Sequence, residues 1–153
     1  MKGIFIFLAD GFEDMEALGT LDVLRRGGLE VNTVAIQTGK PADYVYGERF
    51  VTSSRGVPVV ADLTFDEFEA VASGEGTKSE DVMVFPGGMP GTRNLAATGD
   101  LMEIMKVHFA QGGTVAAICA APGLVASQLP GIEGRKFTCF DGFEDAMIAR
   151  GAR

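Results

Sequence analysis

The chain has 153 residues and a formal net charge of −8, from 13 basic and 21 acidic residues. A chain of this length buries about 68 to 70% of the surface that it exposes when unfolded, so we predict one domain over residues 1–153 that needs no stapling by disulfides. The excess of acidic residues works against binding to a phosphate backbone, and we predict no nucleic-acid partner.

The two cysteines and the hydropathy pattern indicate the cellular compartment of the protein. Two cysteines in a chain with no secretory segment favour a reducing cytoplasm over a disulfide-bonded secreted protein. The apolar run 4–9 ends at Asp10 and is far shorter than the ~20 residues of a membrane-spanning helix. We therefore predict a cytoplasmic protein with no membrane partner, and a core strand in this run.

The N-terminal half begins with strand, helix and strand. Residues 2–8 predict a strand, Asp14 opens a helix that Gly27-Gly28 ends, and residues 29–36 predict a second strand. The next two apolar segments flank turn residues and predict a β-hairpin at one sheet edge; they are residues 44–51 and 57–60.

The following elements keep the same alternation. Thr64 to Glu67 form a capping box, which predicts a helix over 65–72. Residues 81–85 predict a strand, Asp100 is placed to cap a helix, and the run from Thr114 predicts a strand that ends at Cys119.

Two shorter elements complete the chain, with a strand expected over 136–139 and a helix over 143–150. Because strands alternate with helices throughout, the sequence predicts an α/β fold with an open parallel sheet covered by helices on both faces.

Cys119 is the first candidate for chemistry. It stands between an apolar strand and a helix start in which Pro122 occupies the first turn. A thiol at the positive end of a helix is expected to have a pKa below its ordinary value and to be nucleophilic. The alternative is a small buried hydrophobic residue, because free cysteines are among the most buried residue types.

Other candidates share the edge formed by the carboxyl ends of the strands. Glu16 lies in the first turn after the first strand, and we predict that it is protonated and shuttles protons to Cys119. The alternative is an ordinary acidic residue at a helix start. Backbone N–H groups of Gly87, Gly88 and Ala120 are placed to hold an oxyanion.

The glycine-rich turn at 86–91 fits neither a dinucleotide fingerprint nor a P-loop, and we predict no cofactor and no metal. His108, the single histidine, falls in the last turn of a helix that returns to the opposite edge, which argues against a Cys-His dyad. Cys139 is a candidate for resolving an oxidised Cys119, but its phenylalanine neighbours favour packing in an inert apolar setting.

Five spaced motifs together resemble the ThiJ/PfpI superfamily, and within it the group of the parkinsonism-associated protein deglycase. They are residues 8–16, 21–28, 54–56, 85–88 and 116–122. The resemblance implies a flavodoxin-like fold and a homodimer. Members of this superfamily are described as glyoxalases, deglycases, redox-sensing chaperones, and amidases or proteases.

For individual residues, the resemblance implies a nucleophilic, oxidation-prone Cys119 with a protonated Glu16 beside it. It implies oxyanion donors at Gly88 and Ala120, and an Arg55 at the dimer interface that approaches the partner's site near Glu13. It also implies a further strand and closing helix beyond Arg153, which this sequence lacks.

From these residues we expect a cysteine-dependent enzyme that acts on small reactive aldehydes such as methylglyoxal, or on their adducts, with Cys119 as nucleophile and Glu16 as proton shuttle. Two alternatives stay open: a redox sensor or chaperone in which Cys119 is oxidised, and an amidase or protease that would need a histidine from outside the chain. The fold does not choose among them.

Overall fold

The computed structural model describes residues 3–37 and 47–153. Its strands in chain order are β1 Ile4–Ala9, β2 Val31–Ile36, β3 Phe50–Thr52, β4 Pro58–Val60, β5 Leu63–Thr64, β6 Val82–Phe85 and β7 Thr114–Ala117. Its helices are α1 Thr20–Arg26, α2 Phe65–Gly74, α3 Gly91–Ala97, α4 Gly99–Ala110, α5 Ala121–Leu124 and α6 Asp145–Ala149. A π-helical turn at Met15–Gly19 precedes α1, and a 3-10 turn at Ala126–Gln128 follows α5.

Five strands form one parallel sheet in the order β5-β2-β1-β6-β7. If the two-residue β5 is left aside, the four longer strands have the order 2-1-3-4 that begins a flavodoxin-like sheet. This confirms the predicted fold class. The order reverses between β1 and β6, so the segments after these two strands flank the crevice where ligands of such sheets bind.

Alternating side chains of β1 supply both layers of the core. Phe5 and Phe7 pack on one face with Phe68 of α2, while Ile6 and Leu8 pack on the other. These four side chains are at most 1% exposed, which agrees with a strand covered on both faces.

The predicted hairpin is confirmed in its described part. Strands β3 and β4 pair antiparallel as a separate two-stranded sheet, with Phe50 opposite Val60. The predicted start of its first strand, residues 44–46, lies outside the described residues. The capping box is also confirmed, because the Thr64 hydroxyl accepts from the Glu67 N–H and the Glu67 carboxylate accepts from the Thr64 N–H.

Two expectations were wrong. Residues 136–139 form no strand; the Phe137 N–H donates instead to the carbonyl of Arg153 at 2.8 Å. Asp100 does not cap α4, because the helix begins at Gly99 after Thr98, and Asp100 lies in its first turn. Helix α3 was not predicted. No helix among the described residues is long and apolar enough to cross a bilayer.

Candidate active site

Cys119 lies in a sharp turn between β7 and α5. The Ile118 N–H still donates to Phe85 of β6 at 3.3 Å, and α5 begins only two residues beyond Cys119, with Pro122 in its first turn as predicted. The φ angle of Cys119 is 63°, in the left-handed region that residues other than glycine rarely adopt. Such a conformation is unfavourable and persists only where the surrounding structure holds it in place. Residues in such conformations are frequent at active sites.

The sulfur of Cys119 has three polar neighbours. The backbone N–H groups of Ala120 and Gly88 form hydrogen bonds with it, and so does the Glu16 side chain. All three residues belong to the edge predicted from the sequence. Gly87 differs from expectation, because its N–H donates to Glu16 Oε2 at 2.7 Å and is not a free oxyanion donor.

The π-helical turn after β1 fixes the position of Glu16. Its backbone N–H donates to Glu13 Oε2 at 2.7 Å, and the Glu13 N–H donates to the Gly87 carbonyl at 2.9 Å. The turns after β1 and β6 are therefore joined by two hydrogen bonds, one through Glu13 and one through the Glu16 carboxylate. Glu13 therefore holds the backbone of Glu16 and the turn after β6 in position.

Gly87 must be glycine for the site to close. A Cβ atom at this position would lie 2.5 Å from Cys119 Cβ, 2.7 Å from Glu16 Oε2 and 2.9 Å from Cys119 Sγ. The backbone of the β6 turn is thus packed against both the thiol and the carboxyl. Glycine at position 87 of the Pro-Gly-Gly sequence is what allows the backbone to approach Cys119 and Glu16 so closely.

The acidity of the thiol differs from the prediction. Burial raises the pKa of Cys119, and the charge of Glu16 raises it further, while the N–H groups of Ala120 and Gly88 lower it. We predicted a lowered pKa from the backbone N–H groups alone. The sequence pattern identifies those donors, but the desolvation of the sulfur and its distance from the carboxylate depend on how three separate turns pack.

An open cavity of about 320 Å³ gives access to the site. It is lined by Glu16, Ala117, Ile118, Cys119, Thr138, Cys139 and Phe140. Sequence reasoning missed the contribution of Thr138 and Phe140, because residues 136–139 were predicted to form a strand of the sheet. Cys139 is half-buried beside the cavity rather than in the core. Burial does raise its pKa, as expected, and the charges of Glu144 and Asp141 add to this effect.

Arg55 lies at the exposed tip of the β3–β4 hairpin, whose turn is attached to the site region. The Ser53 hydroxyl donates to Asp14 Oδ1 at 2.6 Å, and the Ser54 N–H donates to the Phe12 carbonyl at 2.8 Å. The hairpin therefore projects beside the turn that carries Glu13 and Glu16.

His108 is buried at the opposite end of the sheet, as the sequence predicts. Its imidazole bonds to the Thr77 hydroxyl at 2.8 Å and to the backbone carbonyls of Asp81 and Thr114, which stand at the starts of β6 and β7. It is 1% exposed and takes no part in the Cys119 site. Within 3–37 and 47–153, no group of three or more His, Cys, Asp or Glu side chains could hold a metal ion.

The fold and the site define a class of protein: an open α/β sheet with a cysteine in a strained turn at its carboxyl edge and a glutamate from the first strand-helix unit beside it. The model of the DJ-1/PfpI family matches residues 2–153, and the chain belongs to this family.

Three similar proteins support the assignment. The protein named DJ-1 homolog B of Arabidopsis thaliana is 30% identical over 148 residues, which are 97% of this chain and 30% of that protein. The protein named glutathione-independent glyoxalase DJR-1.2 of Caenorhabditis elegans is 30% identical over 139 residues, 91% of this chain and 64% of that protein. The solved structure titled Toxoplasma gondii DJ-1, oxidized, superposes with a TM-score of 0.80 at 30% identity, over 100% of this chain and 74% of that one. The chain thus spans less than two thirds of the length of the first two relatives, the Arabidopsis and Caenorhabditis proteins.

Proposed function

We propose that this protein is a cysteine-dependent enzyme acting on small α-oxoaldehydes such as methylglyoxal, or on their early adducts with amines and thiols. The observation that carries the proposal is the Cys119 sulfur, which meets two backbone N–H groups and a carboxyl at the edge of an open cavity. A relative bears the name glutathione-independent glyoxalase, which supports the same class of substrate.

The first step is addition of the sulfur to the aldehyde carbon. Cys119 and Glu16 are hydrogen-bonded, and the thiol carries a proton because burial and the Glu16 charge raise its pKa. Glu16 accepts this proton as the C–S bond forms and passes it to the carbonyl oxygen. The product is a hemithioacetal, and Glu16 is again a carboxylate.

In the second step, Glu16 removes the hydrogen from the carbon bonded to sulfur. The electron pair forms an enediol, and returning the proton to the neighbouring carbon gives a thioester of lactate. Water then cleaves the thioester, releasing lactate and the free thiol. The net reaction adds one water to methylglyoxal and requires no external thiol.

The backbone donors stabilise the negative charge that develops along this path. The N–H groups of Gly88 and Ala120 point at the sulfur in the free enzyme. An oxygen on the carbon attached to sulfur would lie within reach of the same donors, which makes them the oxyanion site. Gly87 serves differently, by orienting the Glu16 carboxylate. Deglycation would use the same addition step, with an amine or thiol as the leaving group.

Turnover of methylglyoxal in D₂O tests the mechanism. The purified protein without glutathione should form lactate, and proton return through the enediol should place solvent deuterium at C2. Proton NMR of the product measures both the yield and the labelling. Lactate formed with only protium at C2 would indicate a hydride shift and contradict the role of Glu16, while no consumption of methylglyoxal would contradict the proposal itself.

We also propose that the protein is a homodimer with the β3–β4 hairpin in its interface. Apolar side chains are exposed on the hairpin and on the π-helical turn beside it; Met15 is 77%, Val57 43% and Val60 70% exposed, and Arg55 lies at the exposed tip of the hairpin. Sedimentation should give twice the chain mass of 16.1 kDa. Val60→Glu should weaken the dimer at least about tenfold, because it would bury an unpaired charge. A wild-type monomer at micromolar concentration would refute this arrangement.

A further inference from the structure

The cavity at the active site contains the two cysteines of the chain. Cys119 and Cys139 both line it, and both are free and half-buried. The aldehyde chemistry uses only Cys119. A second thiol that lines the same solvent-connected cavity is exposed to the same oxidants as the nucleophilic cysteine.

A backbone hydrogen bond holds the two residues close together. The Phe140 N–H, next to Cys139, donates to the Cys119 carbonyl at 2.7 Å. Standard bond lengths place each Cα atom about 2.4 Å from its own atom of this hydrogen bond, so the two Cα atoms lie within about 7.5 Å. A disulfide needs a Cα separation of about 4.4 to 6.8 Å, which overlaps this range.

The segment that carries Cys139 allows the remaining adjustment. Residues 135–139 belong to no helix or strand, and Thr138 is exposed, so a shift of Cys139 would break no sheet ladder and would affect only the hydrogen bonds of Phe137 with Arg153 and of Phe140 with Cys119. Cys119, in contrast, is held by the strained turn and by its backbone neighbours. Closing a disulfide would therefore move Cys139 toward Cys119.

We propose that Cys119 and Cys139 form a reversible redox pair, in which Cys139 resolves the sulfenic acid produced when a hydroperoxide oxidises Cys119. The Cys119 thiolate attacks the terminal oxygen of the hydroperoxide, the O–O bond breaks, and this OH group stays on sulfur while the alkoxide leaves, or hydroxide where the oxidant is hydrogen peroxide. The Cys139 sulfur then displaces this oxygen as water, forming the S–S bond. A dithiol reductant returns both thiols by exchange and is itself oxidised to a disulfide.

The surroundings of the two sulfurs indicate which cysteine is oxidised first. Burial raises the pKa of both thiols, and the Glu16 charge raises that of Cys119 further, but the backbone N–H groups of Ala120 and Gly88 form hydrogen bonds with the Cys119 sulfur and stabilise its thiolate once the proton has left. Around Cys139, burial and the carboxylates of Glu144 and Asp141 all disfavour a thiolate. Cys119 is thus the sulfur that meets peroxide, and Cys139 reacts afterwards with the benefit of proximity. The disulfide would occupy the nucleophile and protect it from irreversible oxidation to the sulfinic acid.

Tryptic mapping under non-reducing conditions tests the pair directly. Cleavage after Lys106, Arg135, Lys136 and Arg150 places Cys119 in the peptide 107–135 and Cys139 in the peptide 137–150. After one equivalent of hydrogen peroxide, mass spectrometry should find these peptides joined, with the loss of two hydrogens, and dithiothreitol should separate them. A mixture of ¹⁵N-labelled and unlabelled protein should give no mixed pair, which establishes that the bond is within one chain.

Single cysteine variants complete the test. In Cys139→Ser, the sulfinic form of Cys119 should accumulate several-fold faster than in wild type, and in Cys119→Ser the Cys139 peptide should stay unmodified. The inference rests on the reactive Cys119 that the proposed function also requires. If iodoacetamide modifies Cys119 and methylglyoxal is converted, yet peroxide yields only sulfinic Cys119 at equal rates in both proteins, the redox pair alone is overturned. If Cys119 is inert to both reagents, the proposed function fails with it.

Discussion

Replacing Cys119 with alanine should reduce methylglyoxal conversion to the rate without enzyme. The variant lacks the sulfur that adds to the aldehyde and that is hydrogen-bonded to the N–H groups of Gly88 and Ala120. The measurement is the disappearance of methylglyoxal over time, followed together with lactate formation. Because covalent catalysis accounts for the whole path, we expect a loss of at least about 1,000-fold rather than a change in KM.

Folding of this variant must be checked separately. Cys119 is only half-buried, so removing one sulfur atom should leave the far-ultraviolet circular dichroism spectrum unchanged. Conversion that persists at more than a tenth of the wild-type rate in a folded Cys119→Ala protein would be incompatible with a hemithioacetal on this residue.

The substitution Glu16→Gln should change reactivity and catalysis in opposite directions. The Glu16 charge raises the pKa of the Cys119 thiol, so removing it should lower that pKa and increase the thiolate fraction at neutral pH. Alkylation by iodoacetamide at pH 7 should then be faster than in wild type. Methylglyoxal turnover should fall by about 100- to 10,000-fold, because glutamine cannot accept or deliver the proton.

The pH dependence of the alkylation rate gives the thiol pKa in each protein, and Glu103→Gln is the matched control. Glu103 is an exposed acid of α4 paired with Lys106, so its neutralisation should leave both the alkylation profile and turnover unchanged. If alkylation instead slows in Glu16→Gln, the carboxyl holds the shared proton at rest and donates it to a thiolate, as the sequence alone suggested.

Local signals predicted the parts of this fold that local chemistry decides. The capping box at Thr64 and the strand-to-helix turn at Cys119 each depend on a few adjacent residues, and both are present. The grouping of Glu16, Gly88 and Cys119 followed from topology, since all three come after parallel strands.

Features decided by distant partners were predicted wrongly or not at all. The apolar residues of 136–139 suit a strand, but Phe137 bonds to Arg153 and the following Phe140 bonds to Cys119, which no local pattern reveals. The sign of the Cys119 pKa shift depends on burial and on the Glu16 charge, and both arise from packing between separate turns. The same contacts place Cys139 at the cavity.

The left-handed backbone at Cys119 has a cost for the whole protein. An L-residue with a side chain loses roughly 1 to 2 kcal/mol in this conformation, whereas glycine loses almost nothing. Cys119→Gly should therefore melt at a higher temperature than Cys119→Ala while being equally inactive. The turn therefore gives up folding free energy to hold a side chain at this position, and a chain that no longer needed the sulfur would be more stable with glycine here.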